Sequence, residues 1–198
     1  MNAPNQLTLA RVVMTFVFVI VLMWEFPYSK TAALMLFTVA SLTDLYDGIL
    51  ARRYNRITNF GTLLDPVADK ILICSAFVAF VGLQIIPAWM AILIIAREFV
   101  ITGLRLLAAS RGVVMAAGWG GKNKTVSQVV AASVILTGLA LRDDWWTKLG
   151  LKAAWLDAFK VSAFPKISMV FTLIAVAFTV SSGWSYLHNN RDLFMKEA

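Results

Sequence analysis

Charge is scarce in this chain. Only 15% of its 198 residues are Asp, Glu, Lys or Arg, against roughly 25% in a soluble domain. Hydrophobic residues make up 60% and the mean hydropathy is +0.75. Too little polar surface remains to cover an apolar core, so lipid must be part of the solvent. Cysteine is almost missing as well. Cys74 stands alone, which rules out an intramolecular disulfide, and its apolar run marks it as inert. His188 is the only histidine, near the end of the last apolar run, and is assigned no role. No internal repeat or low-complexity linker occurs, and a single domain over residues 1–198 is expected. Acids are few, 11 against 18 bases, for a net charge of +7. In a membrane chain such a surplus sets topology and attracts anionic headgroups or phosphorylated substrates, rather than nucleic acid.

Six apolar runs approach the roughly 20 residues that a spanning helix needs. They cover residues 7–26, 31–54, 61–84, 87–109, 125–141 and 163–187. The expected fold is an all-α integral membrane protein, a bundle of six helices. The first run is not read as a signal peptide. Arg11 is its only basic residue, and Trp24-Glu25-Phe26-Pro27 reads as an interface exit rather than a cleavage site. Gly118, Gly120 and Gly121 predict a flexible loop. Arg11, the Arg52/Arg53/Arg56 cluster, Arg111, Lys122, Lys124, Arg191 and Lys196 fall on one side, and Lys30 on the other. Both termini are therefore expected in the cytoplasm. Segment 142–160 carries Trp145, Trp146 and Trp155 and is expected to lie along the membrane interface.

Against this background the segment TDLYDGILARRYNRITNFGTLLDPVADK stands out. It places four carboxylates in membrane-like surroundings, where charge is costly and marks a functional site. Asp44 and Asp47 are spaced i, i+3, and Gly48 and Ala51 continue their stripe. Asp65 and Asp69 are spaced i, i+4, with Gly61 one turn earlier. Two helices could thus present two carboxylates each to a common point. Four like charges would repel, and divalent cations relieve this, because hard oxygens suit Mg2+ or Mn2+. Two metals about 3.5–4 Å apart would suit phosphoryl transfer. Gly48 and Gly61, lacking Cβ, let a bulky ligand approach the backbone, and Ala51 keeps the stripe shallow. Arg52 can clamp a diphosphate. Salt bridging to nearby bases is the plain alternative, but it gives no reason for the two glycines. Pro66 could start or kink the third helix.

The pattern D-x2-D-G-x2-A-R-x8-G-x3-D-x3-D resembles the signature of the CDP-alcohol phosphotransferases, with every position filled. The resemblance implies a six-helix membrane fold, usually dimeric, with its active site toward the cytoplasm. It implies transfer of a phosphatidyl or similar group from a CDP-linked donor to an alcohol, with release of CMP. It also implies that Asp44, Asp47, Asp65 and Asp69 hold two divalent metals, with Asp69 also the general base. Gly48, Arg52 and Thr58 would contact the CDP diphosphate, beside Ala51 and Gly61. Asn5-Gln6-Leu7-Thr8 with Arg11 resembles the N-terminal segment that helps enclose the nucleotide, which adds Asn5 and Thr8.

Two later segments bear on the acceptor. AREFVITGLR, residues 96–105, puts Arg97, Glu98 and Arg105 in an apolar run, and GKNKTVSQ, residues 121–128, adds Lys122 and Lys124. Arg97 and Glu98 are adjacent, so each needs its own partner. Topology signals are one reading. The other is a basic cup in which Arg105, Arg111, Lys122 and Lys124 bind a phosphorylated acceptor, and Glu98 orients Arg105 or binds the acceptor's hydroxyls. Both segments are similar to those of bacterial phosphatidylglycerophosphate synthases. That similarity implies CDP-diacylglycerol as donor, sn-glycerol 3-phosphate as acceptor, a homodimer and the bacterial inner membrane. The alternatives are another acceptor (inositol phosphate, serine or phosphatidylglycerol), a cation transporter, or a structural membrane subunit. A transporter would be expected to show matched broken helices in inverted repeats, and no such pair is found.

Overall fold

The computed structural model describes residues 3–54, 59–110, 119–146 and 159–189. For 3–8, 44–54, 59–69, 119–122 and 160 it describes the backbone alone. The described residues form helices and no strand. In chain order these are α1 (Ala3–Met23), α2 (Ser29–Tyr54), α3 (Asn59–Gly82), α4 (Ala88–Ser110) and α5 (Trp119–Leu139), and finally α6 (Phe164–Asn189). A π-helical turn, Ala140–Trp145, prolongs α5, and another, Phe159–Ala163, leads into α6.

The helix ends follow the sequence. Pro27 lies between α1 and α2, Pro87 immediately precedes α4, and Pro165 sits in the first turn of α6, where a missing amide hydrogen costs little. At the end of α3, the Ile85 amide donates to the Phe80 carbonyl and the Gln84 amide to that of Val81, both at 2.9 Å. Gln84 takes φ 56°, completing a Schellman closure in the position glycine usually fills. Lys30 donates from Nζ to the Leu22 carbonyl at 2.6 Å and so caps α1. The charge assigned to the outer side thus closes a helix.

The core draws buried residues from all six helices, with α1 packed on α2 and α3, and α6 on α4 and α5. Phe18 stacks at 5.7 Å on Phe37, and Phe77 meets Phe80 edge-on at 6.0 Å; all four are buried. α6 reverses the pattern of a water-soluble helix. Apart from Phe164 and Val176, its buried face is small or polar, with Ser168, Thr172, Ala175, Thr179, Ser182, Gly183 and Tyr186, while Val170, Leu173, Ile174, Phe178, Val180 and Trp184 face outward. Small and polar residues between helices, with large apolar ones outside, are what a lipid solvent selects. Thr172 and Thr179 return their hydroxyls to carbonyls four residues back, which satisfies them without water. Among the described residues, Asn123–Trp145 and Val161–Asn189 are long and apolar enough to cross a membrane, and shorter apolar stretches occupy α1, α2 and α3. The protein is all-helical where described, and membrane-embedded.

One expectation changes, and two readings become more specific. Gly120 and Gly121 belong to the first turn of α5, not a flexible loop; a helix continuing from Trp119 absorbs them, while Gly118 lies outside the described residues. The expected interface loop begins as helix. Asp144 is buried there and accepts from the Thr31 amide at 2.6 Å and the Thr31 hydroxyl at 2.8 Å, closing the first turn of α2. Trp155 lies outside the described residues. Pro66 does not start α3, which begins seven residues earlier at Asn59.

Candidate active site

The four aspartates sit on two consecutive helices in contact with each other. Residues 55–58 are all that separates the end of α2 from the start of α3. Asp47 lies seven residues before Tyr54, and Asp65 six after Asn59. At 1.5 Å per residue, both are about 10 Å along the helix from that connection. Asp44 and Asp69 are correspondingly about 15 Å along. The backbone therefore sets both pairs at matching depths at one end of the bundle. Four hard oxygen-bearing groups so placed fit hard divalent cations by their donor chemistry. Gly48, Ala51 and Arg52 share α2 with the first pair, and Gly61 shares α3 with the second. Pro66, inside α3, has no amide hydrogen and leaves the Thr62 carbonyl without its ordinary helical partner. Asn5 and Thr8 lie on α1 and Lys122 in the first turn of α5; Thr58 and Arg111 lie outside the described residues.

A second group of polar residues joins α4, α5 and α6. Glu98 is buried at 3% exposure, and Lys124 pairs with it at Oε1. Gln128 donates from Nε2 to the same oxygen at 3.3 Å and to Thr179 Oγ1 at 3.0 Å. Arg97 donates from Nη2 to Ser182 Oγ at 2.8 Å, and its Nη1 lies 3.6 Å from Glu98 Oε1. The aliphatic stem of Arg97 runs over Gly183, where a Cβ would come within 3.2 Å of its Cγ. Arg105 donates from Nε to the Tyr186 hydroxyl at 3.3 Å, with Cζ 5.2 Å from the ring centre. Lys70, next to Asp69 on α3, is close enough to Lys124 for the two charges to interact. Lys70 thus brings the field of the basic group to the turn that carries the last aspartate.

Arg97 and Glu98 find separate hydrogen-bond partners, as expected, yet their side chains also turn toward each other as an ion pair. Glu98, however, engages Lys124 and Gln128, while Arg105 is held by Tyr186. The reason is register: Lys124 and Gln128 are one turn apart on α5, opposite Glu98. Gln128, Thr179, Ser182 and Tyr186 escaped the sequence reading. Their signal was a polar stripe at helical spacing on an otherwise apolar run.

A family model described as CDP-alcohol phosphatidyltransferase matches residues 1–181. The chain is 38% identical to the CDP-diacylglycerol–glycerol-3-phosphate 3-phosphatidyltransferase of Bacillus subtilis, over 96% of this chain and 95% of that protein. It is 38% identical to the protein of that name in Escherichia coli K12, over 82% and 87%, and 31% identical to that of Rickettsia bellii, over 93% of each. A match over most of the chain, with the signature in place on α2 and α3, gives the conclusion: this chain belongs to the CDP-alcohol phosphatidyltransferase family.

Proposed function

We propose that this protein transfers the phosphatidyl group of CDP-diacylglycerol to sn-glycerol 3-phosphate, giving phosphatidylglycerophosphate and CMP. The observation that carries the reading is near full-length similarity to relatives bearing that activity as their name. The family is generally dependent on divalent cations. Asp44, Asp47, Asp65 and Asp69 would hold two such ions, Mg2+ or Mn2+, which when bound would supply the positive charge that the donor diphosphate and the departing CMP need. Arg52 binds the diphosphate, with Gly48, Ala51 and Gly61 giving it access to the backbone and Thr58, Asn5 and Thr8 completing the donor site. Asp69 accepts the proton of the attacking acceptor hydroxyl. Arg105 receives the acceptor phosphate, with Arg111 and Lys122 nearby in sequence. Lys124, fixed by Glu98, contributes charge and its remaining N–H groups. All six helices cross the bacterial inner membrane as one domain, with both termini and the site in the cytoplasm, and the protein works as a homodimer.

The test is CMP release by purified protein in detergent micelles. Activity is expected with CDP-diacylglycerol and glycerol 3-phosphate, abolished by chelation and restored by Mg2+ or Mn2+. Serine, inositol phosphate and phosphatidylglycerol should each give little. Asp69→Asn should lose activity by at least about 100-fold, the scale of general-base catalysis, with its unfolding midpoint preserved. Stronger turnover of another alcohol would overturn the acceptor assignment, and an active Asp69→Asn protein the role of the base.

A further inference from the structure

Thr179, Ser182 and Tyr186 are spaced three and four apart on α6 and all are buried. They share one face. Each meets the basic group described above. Thr179 reaches Lys124 through Gln128 and Glu98, Ser182 holds Arg97, and Tyr186 holds Arg105. The three contacts differ in what they serve. Glu98 and Lys124 are buried, and Arg97 is largely so, and polar groups in such a place require partners. Arg105 is exposed, so its contact with Tyr186 is not enforced by desolvation.

We propose that Tyr186 is a positioning residue for the acceptor, gripping Arg105 so that its terminal nitrogens stand ready for the phosphate. The inference rests on the reading of Arg105 as an acceptor ligand. Two contacts hold different parts of the guanidinium. The hydroxyl accepts from Nε, and the ring supports the face. A guanidinium has five N–H groups, and use of Nε leaves four on the terminal nitrogens, the fork that matches a phosphate. An arginine already ordered by the fold has less freedom to lose when the ligand arrives. The benefit therefore falls on acceptor affinity and leaves the bond-making step alone.

The experiment measures KM for each substrate and kcat in wild type, Tyr186→Phe, Tyr186→Leu, Arg105→Ala and Arg105→Ala/Tyr186→Phe. Tyr186→Phe keeps the ring and loses the hydroxyl. It is expected to raise KM for glycerol 3-phosphate roughly three- to tenfold, the scale of an ordinary hydrogen bond, with kcat and the lipid KM within about twofold. Tyr186→Leu should raise the acceptor KM further. In the Arg105→Ala background, Tyr186→Phe should add nothing, because the two residues act as one unit. A Tyr186→Phe effect that falls equally on both substrates, or that persists without Arg105, overturns the proposal, as does no effect at all. These outcomes leave the proposed activity standing. A wild type inactive with glycerol 3-phosphate removes that activity and this inference together. If Tyr186→Leu fails to fold, the Phe variant decides.

Discussion

A carboxylate inside an apolar bundle places demands on its neighbours, and Glu98 shows how they are met. It is 3% exposed, paired with Lys124 and bonded by Gln128. Removing one member of a buried pair leaves the other charge uncompensated, which costs about 3–5 kcal/mol. Glu98→Gln is therefore expected to lower the unfolding midpoint markedly in detergent and to raise the acceptor KM. Glu98→Gln with Lys124→Met should recover much of the stability while acceptor affinity stays poor; recovery of both would show that the pair has no part in binding. The sequence made both charges visible but not their pairing. Spacing says which face a residue shares on its own helix. It does not say which neighbouring helix that face meets, and so Glu98 was matched to Arg105 on the same helix. The motif aspartates were legible for the opposite reason, since each pair lies within one helix.

At the scale of elements, the six helices were readable from hydropathy, and their ends fall within a few residues of the expected runs except at the start of α5. What hydropathy could not show is how α5 meets α6. A Cβ at Gly138 would lie 2.4 Å from Cε2 of Phe164 and 2.6 Å from its Cδ2. The Phe164 ring is buried and covered on its face by Arg142, whose Cζ is 5.0 Å from the ring centre. The ring has little room to move away. Gly138→Ala is expected to destabilise the protein by about 1–3 kcal/mol through overpacking. The check is the unfolding midpoint, and partial rescue by Phe164→Leu would confirm the contact. Sequence alone offered no sign of this, because a glycine in an apolar run marks neither a turn nor a neighbour. The polar face of α6 could have been read by counting, since its hydroxyls recur at three, four and seven residues.

For the molecule as a whole, the helices are tied at both ends. One end holds the motif and the cluster around Glu98, Arg105 and Tyr186. At the other, Lys30 closes α1, and Asp144 at the end of α5 caps α2 through Thr31, whose hydroxyl also receives the Trp145 indole at 3.2 Å. Loss of a cap of this kind costs about 1 kcal/mol. Asp144→Ala is expected to lower stability by that amount and to raise the metal concentration needed for half-maximal activity; an unchanged metal requirement would confine Asp144 to stability. The reason lies in the mechanics of a stiff rod. Asp44 lies thirteen residues after Thr31 on α2, about 20 Å of helix. A rod of that length cannot absorb axial slip, so any slack at its clamped end arrives undiminished at its working end. The alignment of the carboxylates at one end of the bundle is thus calibrated by an anchor at the other.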